Sequence, residues 1–599
     1  MKKTIHYSAL WLIALVIIAG AMLAFESDLL WKIQENNLFL YTSQFFREQM
    51  LVPGGFLSWL AAFFTQFFYY PWLGTVILCA WWLLLMWLTK KAFSIAGQWV
   101  WLAILPVACL LITIVDMGYW VYVLKLPGHA FVATIATAAV AALLWAFRCL
   151  PDRFLLPPAF VLITCLAGYP LMGIYGIAAA LLMAVWSWRL KKLPLPCTIA
   201  AVLGAAAVPL LFYRFVFYQI NQANLYAAAL PLYYVTEKHH TYYAPFYALA
   251  AFFLLLTLVS LKEMKTLKRP VIIGVVTMTV VSALVTPCWF KDENFHRELS
   301  MQRAIEQNDW INVISEAAKQ KDEPTRAIVM MRNLALSRLG VQGDEMMNYK
   351  NGSKAYAAPF GMRLMLEAGP LIYYHYGMLN CCARLCTEMS VEFGWNPAAL
   401  KLLAKCALLN GERQLARKYL GLLKETLFFA DWAERYGAMN GNAEAIAADP
   451  EMGIVKRMMH YDNMLSADQG NIESFLMHQL ANSHYTGDKY FQEQTLLATP
   501  WTKDIPAFYR HFSDYIQLHP KDRMPYFYQQ AAYLYGQIEE RPDMDRLPFD
   551  ALVKDSYNSF AEAASRFEDV DIDVAREGLK AFSNTYYYDY YLMSQLPEY

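Results

Sequence analysis

Long apolar runs dominate the first 290 residues, at 9–25, 71–89, 99–115, 130–147, 154–188, 195–213, 243–261 and 271–290. Most approach the roughly 20 residues that a helix needs to cross the hydrocarbon of a bilayer. The run at 154–188 is long enough for two crossings, and Gly168, Tyr169 and Pro170 divide it. The pattern therefore predicts nine spans in an all-α, polytopic transmembrane helical bundle. The start, Met1-Lys2-Lys3 before an uncharged run, reads as a retained signal anchor rather than a cleaved leader.

Charge separates the chain into two parts. Up to Phe290 there are 18 Lys and Arg against 8 Asp and Glu; after it there are 32 against 42, so a net charge of zero hides a basic apolar part and an acidic polar one. No block of like charge resembles a nucleic-acid tail, which excludes DNA or RNA as a partner. Lys2 and Lys3, Lys90 and Lys91, Arg148 and Arg153, Arg189 with Lys191 and Lys192, and Lys262 to Arg269 all fall on one side of a nine-span arrangement. By the positive-inside rule that side is cytoplasmic. The expectation is a bacterial inner-membrane protein with its N-terminus in the cytoplasm, a membrane domain over 1–290 and an extracytoplasmic domain over 291–599.

The first outer connection, 35–74, is long and rich in aromatic residues. It carries Glu35-Asn36, the Arg47-Glu48 pair and a Pro53-Gly54-Gly55 break, followed by Phe56, Leu57, Leu60, Phe63, Phe64, Phe67 and Phe68 at helical spacing. That spacing predicts an interfacial helix near 56–70 lying at headgroup level, its aromatics lining a lipid path or forming an aromatic belt. Arg47 with Glu48 reads either as part of a site or as an ion pair pinning this helix. Asp116 and Arg214 each directly follow an apolar run, where an ionised group is costly unless paired or wet. An Asp116–Arg214 ion pair and a role in binding an anionic ligand both satisfy that requirement. The connection at 218–242 mixes Asn, Gln and Tyr, which suits sugar recognition and equally a water–membrane boundary. Its His239-His240 pair invites a metal, but adjacent residues do not share a helix face and no third ligand is indicated.

The residues Glu35-Asn36, Phe39, Tyr41 and Phe46-Arg47-Glu48-Gln49-Met50 resemble the first outer loop of the GT-C superfamily, integral membrane glycosyltransferases that use polyprenyl-phosphate-linked sugars. The resemblance implies transfer of a sugar from a lipid-phosphate donor to an envelope acceptor. It makes Glu35 the candidate general base, with Arg214, Lys125, His129, His239 and His240 as candidate phosphate contacts and Arg47, Glu48 and Asp116 beside them. Asn36 stands where that superfamily has a second acid. A divalent cation is compatible with such chemistry, but no ligand set for one is indicated. The whole chain is also similar to an uncharacterised family of bacterial multi-span proteins.

After Phe290 the pattern changes to amphipathic helices over 298–306, 310–319 and 325–339, divided by Asn308-Asp309, Asp322-Glu323-Pro324 and Gly340. The unit 397–409, Asn410-Gly411, 412–426 resembles a tetratricopeptide repeat, which implies a solenoid with a surface for an envelope protein or peptide. Cys381, Cys382 and Cys386 read as the buried face of a helix, with a metal or redox site as the alternative. The tyrosine cluster at 586–591 reads as a terminal helix docked on the membrane part. Two functions stay open: an envelope glycosyltransferase, and a non-catalytic membrane scaffold that anchors a helical-repeat domain.

Overall fold

Helix α1, Lys2–Phe25, ends at Glu26, and α2, Ser27–Glu35, leaves it at 78°. A computed structural model describes residues 2–95, 97–151, 155–232, 242–261, 270–354, 364–461, 471–541 and 547–596, and among these there is no β-strand. Two units result. Unit 1 comprises Met1–Asp292 with Phe393–Ala398 and Leu422–Trp432, and unit 2 comprises Glu293–Glu392, Ala399–Gly421 and Ala433–Tyr599.

Unit 1 continues with α3 (Ser43–Gln49), α4 (Gly55–Thr65), α5 (Pro71–Phe93), α6 (Leu105–Val115), α7 (His129–Cys149), α8 (Leu156–Met172), α9 (Ile174–Leu190) and α10 (Leu195–Phe215). Helices Ala244–Leu258 and Pro270–Cys288 complete it. Its centre is α7, which packs against both α5 and α4. The apolar interior leaves few ways to satisfy a polar group, and Trp82 Nε1 on α5 donates to Thr134 Oγ1 on α7 at 3.1 Å. Gly128, just before α7, has φ +68° and lies so close to α4 that a Cβ would sit 2.3 Å from the Ala62 amide nitrogen. Only glycine meets both demands.

The expected nine spans are not found. Among the described residues three helices, α5, α7 and α10, are long and apolar enough to cross a membrane, and the number rises to five if each of two bent pairs counts as one span. The reason is helix length rather than hydropathy. The run at 99–115 starts in a 3-10 segment and leaves α6 only 11 residues, α8 and α9 have 17 each, and Ala244–Leu258 has 15. At about 1.5 Å per residue these fall short of a hydrocarbon core of about 30 Å. The division of 154–188 also falls later than expected: α8 runs through Pro170 to Met172, and the chain turns at Gly173, φ +59°. With fewer spans, sidedness no longer follows from counting crossings. Lys262 to Arg269 and Arg153 lie outside the described residues.

A helix occurs where the interfacial one is expected: α4 is followed by a 3-10 turn, Gln66–Tyr69. Its buried face is made by Gly55, Leu57, Ser58, Ala61, Ala62 and Thr65, all small except Leu57, and α4 packs against α7. Phe39 and Phe45 pack beneath its aromatic side, with ring centroids 5.4 Å from Phe39 to Phe63 and 5.5 Å from Phe39 to Phe45. These rings form a small core.

In unit 2 the expected first three helices occur as Glu293–Glu306, Trp310–Ala318 and Arg326–Arg338. Asp309 caps the second by accepting from Asn312 N at 3.1 Å, and Thr325 caps the third by accepting from Ile328 N. The pair Pro397–Leu409 and Arg413–Lys424 is joined through Gly411 at φ +75°. The terminal tyrosines correct an expectation: helix Tyr586–Leu592 is buried inside unit 2. Tyr586 donates to Pro500 O and Tyr587 to Val553 O, each at 3.0 Å.

Candidate functional site in unit 1

Seven consecutive residues of α2, Leu29 to Glu35, are buried, although the segment includes Lys32, Gln34 and Glu35. A nine-residue helix cannot hold itself in place, so its position depends on contacts at its end. Asn36 Nδ2 donates to Val121 O at 2.8 Å. Asn37 Nδ2 donates to Ala62 O at 3.0 Å, while Asn37 Oδ1 accepts from Gly128 N at 3.0 Å. Two amides therefore tie the end of α2 to α4, to the start of α7 and to the 3-10 segment Gly118–Tyr122.

Glu35, only 1% exposed, is the last residue of α2. Lys32 lies one turn earlier on the same helix, 8% exposed, with its ammonium 5.1 Å from the centre of the Tyr122 ring. A carboxylate and an ammonium are thus held in one low-dielectric region, where each interaction is stronger than it would be in water. His129 follows Gly128 and lines a cavity with Thr113, Met117, Leu126, Tyr175 and Phe246. Its Nε2 is buried and has no hydrogen-bond partner among the described residues. Lys125, half-buried, places its ammonium 5.5 Å from the centre of the Phe393 ring in the same unit.

The other candidates have different surroundings. Arg47 and Glu48 are exposed on α3, and Glu48 accepts from Gln44 Nε2 at 2.9 Å. Arg214 is exposed in the last turn of α10 and Asp116 is half-buried at the end of α6; no ion pair joins them. His239 and His240 lie outside the described residues. No group of three His, Cys, Asp or Glu able to hold a metal ion occurs among the described residues.

Sequence reasoning passed over Glu26. It is 1% exposed at the bend between α1 and α2, and its carboxylate accepts from Trp289 Nε1 at 2.5 Å. The available signal was its position as the first acid after the opening apolar run, with Asp28 two residues on. The structure also explains Asn36. An aspartate there could not donate to Val121 O and would set a carboxylate against a carbonyl oxygen. Asn36→Asp is expected to destabilise unit 1 by about 1–3 kcal/mol, the usual cost of an unsatisfied buried group. Thermal unfolding of the full chain in detergent measures this, and an unchanged midpoint would show that the bond contributes nothing.

A family model described as a family of unknown function (DUF6057) matches residues 2–594. Neither curated proteins nor solved structures give a match. With nearly its whole length covered, the chain belongs to the DUF6057 family of unknown function.

Proposed function

We propose that this is an inner-membrane glycosyltransferase-like protein that takes a polyprenyl-phosphate-linked sugar at the end of α2 and transfers it to an envelope acceptor on the extracytoplasmic side. The observation that carries this reading is the buried Glu35 carboxylate, one turn from Lys32, at a helix end fixed by Asn36 and Asn37. Fixed charges in a dry site suit a reaction in which charge moves. The acceptor hydroxyl oxygen attacks the anomeric carbon, its proton passes to Glu35, and the bond from that carbon to the phosphate oxygen breaks. Lys32, one turn from Glu35, and Lys125 are the cations that would balance the charge of the departing phosphate. Resemblance of the segment around Glu35 to the first outer loop of GT-C enzymes supports the same chemistry. Unit 2 would then present or select the acceptor, and its helix pair Pro397–Leu409 and Arg413–Lys424 supports a repeat-like, tetratricopeptide-type surface.

The 1% exposure of Glu35 favours a second reading, a non-catalytic scaffold in which α2 is a structural plug and unit 1 an anchor. Glu35→Gln separates the two. It keeps the size and shape of the side chain but cannot accept a proton, so transfer is expected to fall by about two orders of magnitude or more, the usual range for a lost general base. Surface glycans of cells carrying the variant report the loss. A wild-type glycan profile, with the variant inserted at wild-type level, would establish the scaffold.

A further inference from the structure

Helices Leu379–Phe393 and Pro397–Leu409 bring Cys381, Cys382, Cys386 and Cys406, all residues of unit 2, into one core, each no more than 4% exposed. All four are free thiols. Cys382 lies within hydrogen-bonding reach of both Cys386 and Cys406. Its two neighbours differ in what they permit. Cys386 is one turn further along the same helix, where Cβ atoms are held about 5–6 Å apart. A disulfide spans only about 3.5–4.5 Å between Cβ atoms, so this pair cannot close without unwinding the helix. Cys406 comes from the following helix, and no helical repeat fixes its separation from Cys382.

We propose that Cys382 and Cys406 are a redox pair whose disulfide ties the two helices together, leaving Cys386 as a thiol. The two thiols lose two protons and two electrons as the S–S bond forms. A small-molecule disulfide such as oxidised glutathione accepts them through a mixed disulfide and leaves as two thiols. Burial decides when this happens. Within the folded unit it pushes the Cys382 thiol well above its ordinary range, withholding the thiolate that attacks. Exchange therefore takes place while the helices are coming together, and the finished bond is shielded from reductants.

The test is cell-free synthesis of the full chain into detergent micelles, with oxidised glutathione or with a thiol reductant, followed by denaturation, alkylation and peptide mapping. The reduced sample should alkylate at all ten cysteines; the oxidised sample should alkylate at two fewer and yield a peptide joining Cys382 to Cys406. Cys406→Ser should abolish the link, and Cys386→Ser should retain it. Cys406→Ala serves as a second variant where serine perturbs the apolar core, and circular dichroism confirms that each variant is helical. Full alkylation of the oxidised wild type, a Cys382–Cys386 link, or a Cys382 link that survives loss of Cys406 would each overturn the proposal.

Discussion

Glu473→Ala is expected to destabilise unit 2 by about 3–5 kcal/mol, the cost of leaving a buried charge without its partner. Glu473 sits on helix Ile472–Ala481, and its side chain is 7% exposed against 5% for Arg326. Arg326 Nε donates to Glu473 Oε2 at 2.6 Å, and a second guanidinium nitrogen donates to Oε1. The fork-on-carboxylate geometry satisfies both groups at once. Trp501 Nε1 adds a third bond to Oε1 at 2.8 Å, and Arg326 also donates to Asn351 O at 2.6 Å. Removing the carboxylate would leave two of the guanidinium nitrogens and the indole N–H without an acceptor and the Arg326 charge without its counter-ion, and both groups are too deep for bulk water to replace it.

A second cation sharpens the effect. Arg332 is 2% exposed and is held by neutral acceptors, donating to Asn351 Oδ1 at 2.5 Å and Lys350 O at 2.8 Å. Burial and the nearby Arg326 charge push its guanidinium down to about 9. Without Glu473 the two arginines would repel across a dry interior. Replacing both partners, as in Arg326→Met with Glu473→Leu, should recover much of the loss, because apolar pairs of similar volume are often neutral substitutes for a buried ion pair. Hydrogen exchange over helices Arg326–Arg338 and Ile472–Ala481 in the full chain reads the result locally. Equal protection in Glu473→Ala and wild type would show that the pair contributes nothing to stability.

Neither partner announces this network in the sequence, since Arg326 and Glu473 are 147 positions apart and each resembles an ordinary surface charge. What the sequence does show is local. Asp309, Thr325, Gly340 and Gly411 lie where helices start or stop because caps and left-handed turns demand particular residue types. Apolar length was legible too, but it does not equal helical length. The 3-10 segment Gly97–Ile104 and the bend at Glu26 are backbone events within or beside apolar runs, and hydropathy is blind to them.

At the candidate site, Glu35 was legible as an acid following an apolar run, whereas its burial was not. That burial depends on Asn36 and Asn37 finding carbonyls 85 and 25 residues away, contacts with no signature in spacing. In the sequence Arg47, Glu48 and Arg214 group with Glu35 only through the expectation that all lie on one outer face. In the folded chain they are exposed on other helices, and only Lys125 and His129 stay close in sequence to Gly128, the residue that Asn37 holds.

Acid is expected to loosen unit 2 through Glu451. This carboxyl is 7% exposed; burial alone would raise it, but the adjoining Lys405 ammonium more than offsets that and holds it down at about 2. Lys405 Nζ lies 2.6 Å from Glu451 Oε1, with Asn308 Nδ2 donating to Oε2 at 3.3 Å, and the lysine is enclosed by the Tyr374 and Tyr436 rings. An ordinary glutamate titrates near 4.5, so the folded state binds this proton less readily than the unfolded chain does. The stabilisation is therefore complete above about 4.5 and is lost as pH falls toward 2. The difference amounts to about 3 kcal/mol. Glu451→Gln removes the titrating group and leaves Lys405 buried without its counter-ion, so the variant should be less stable at neutral pH yet should lack this part of the acid response. Unfolding midpoints of the full chain in detergent, measured for both proteins from neutral pH down to the folded-state pKa, should converge as the pH falls. A constant gap across that range would show that Glu451 is not the group that titrates.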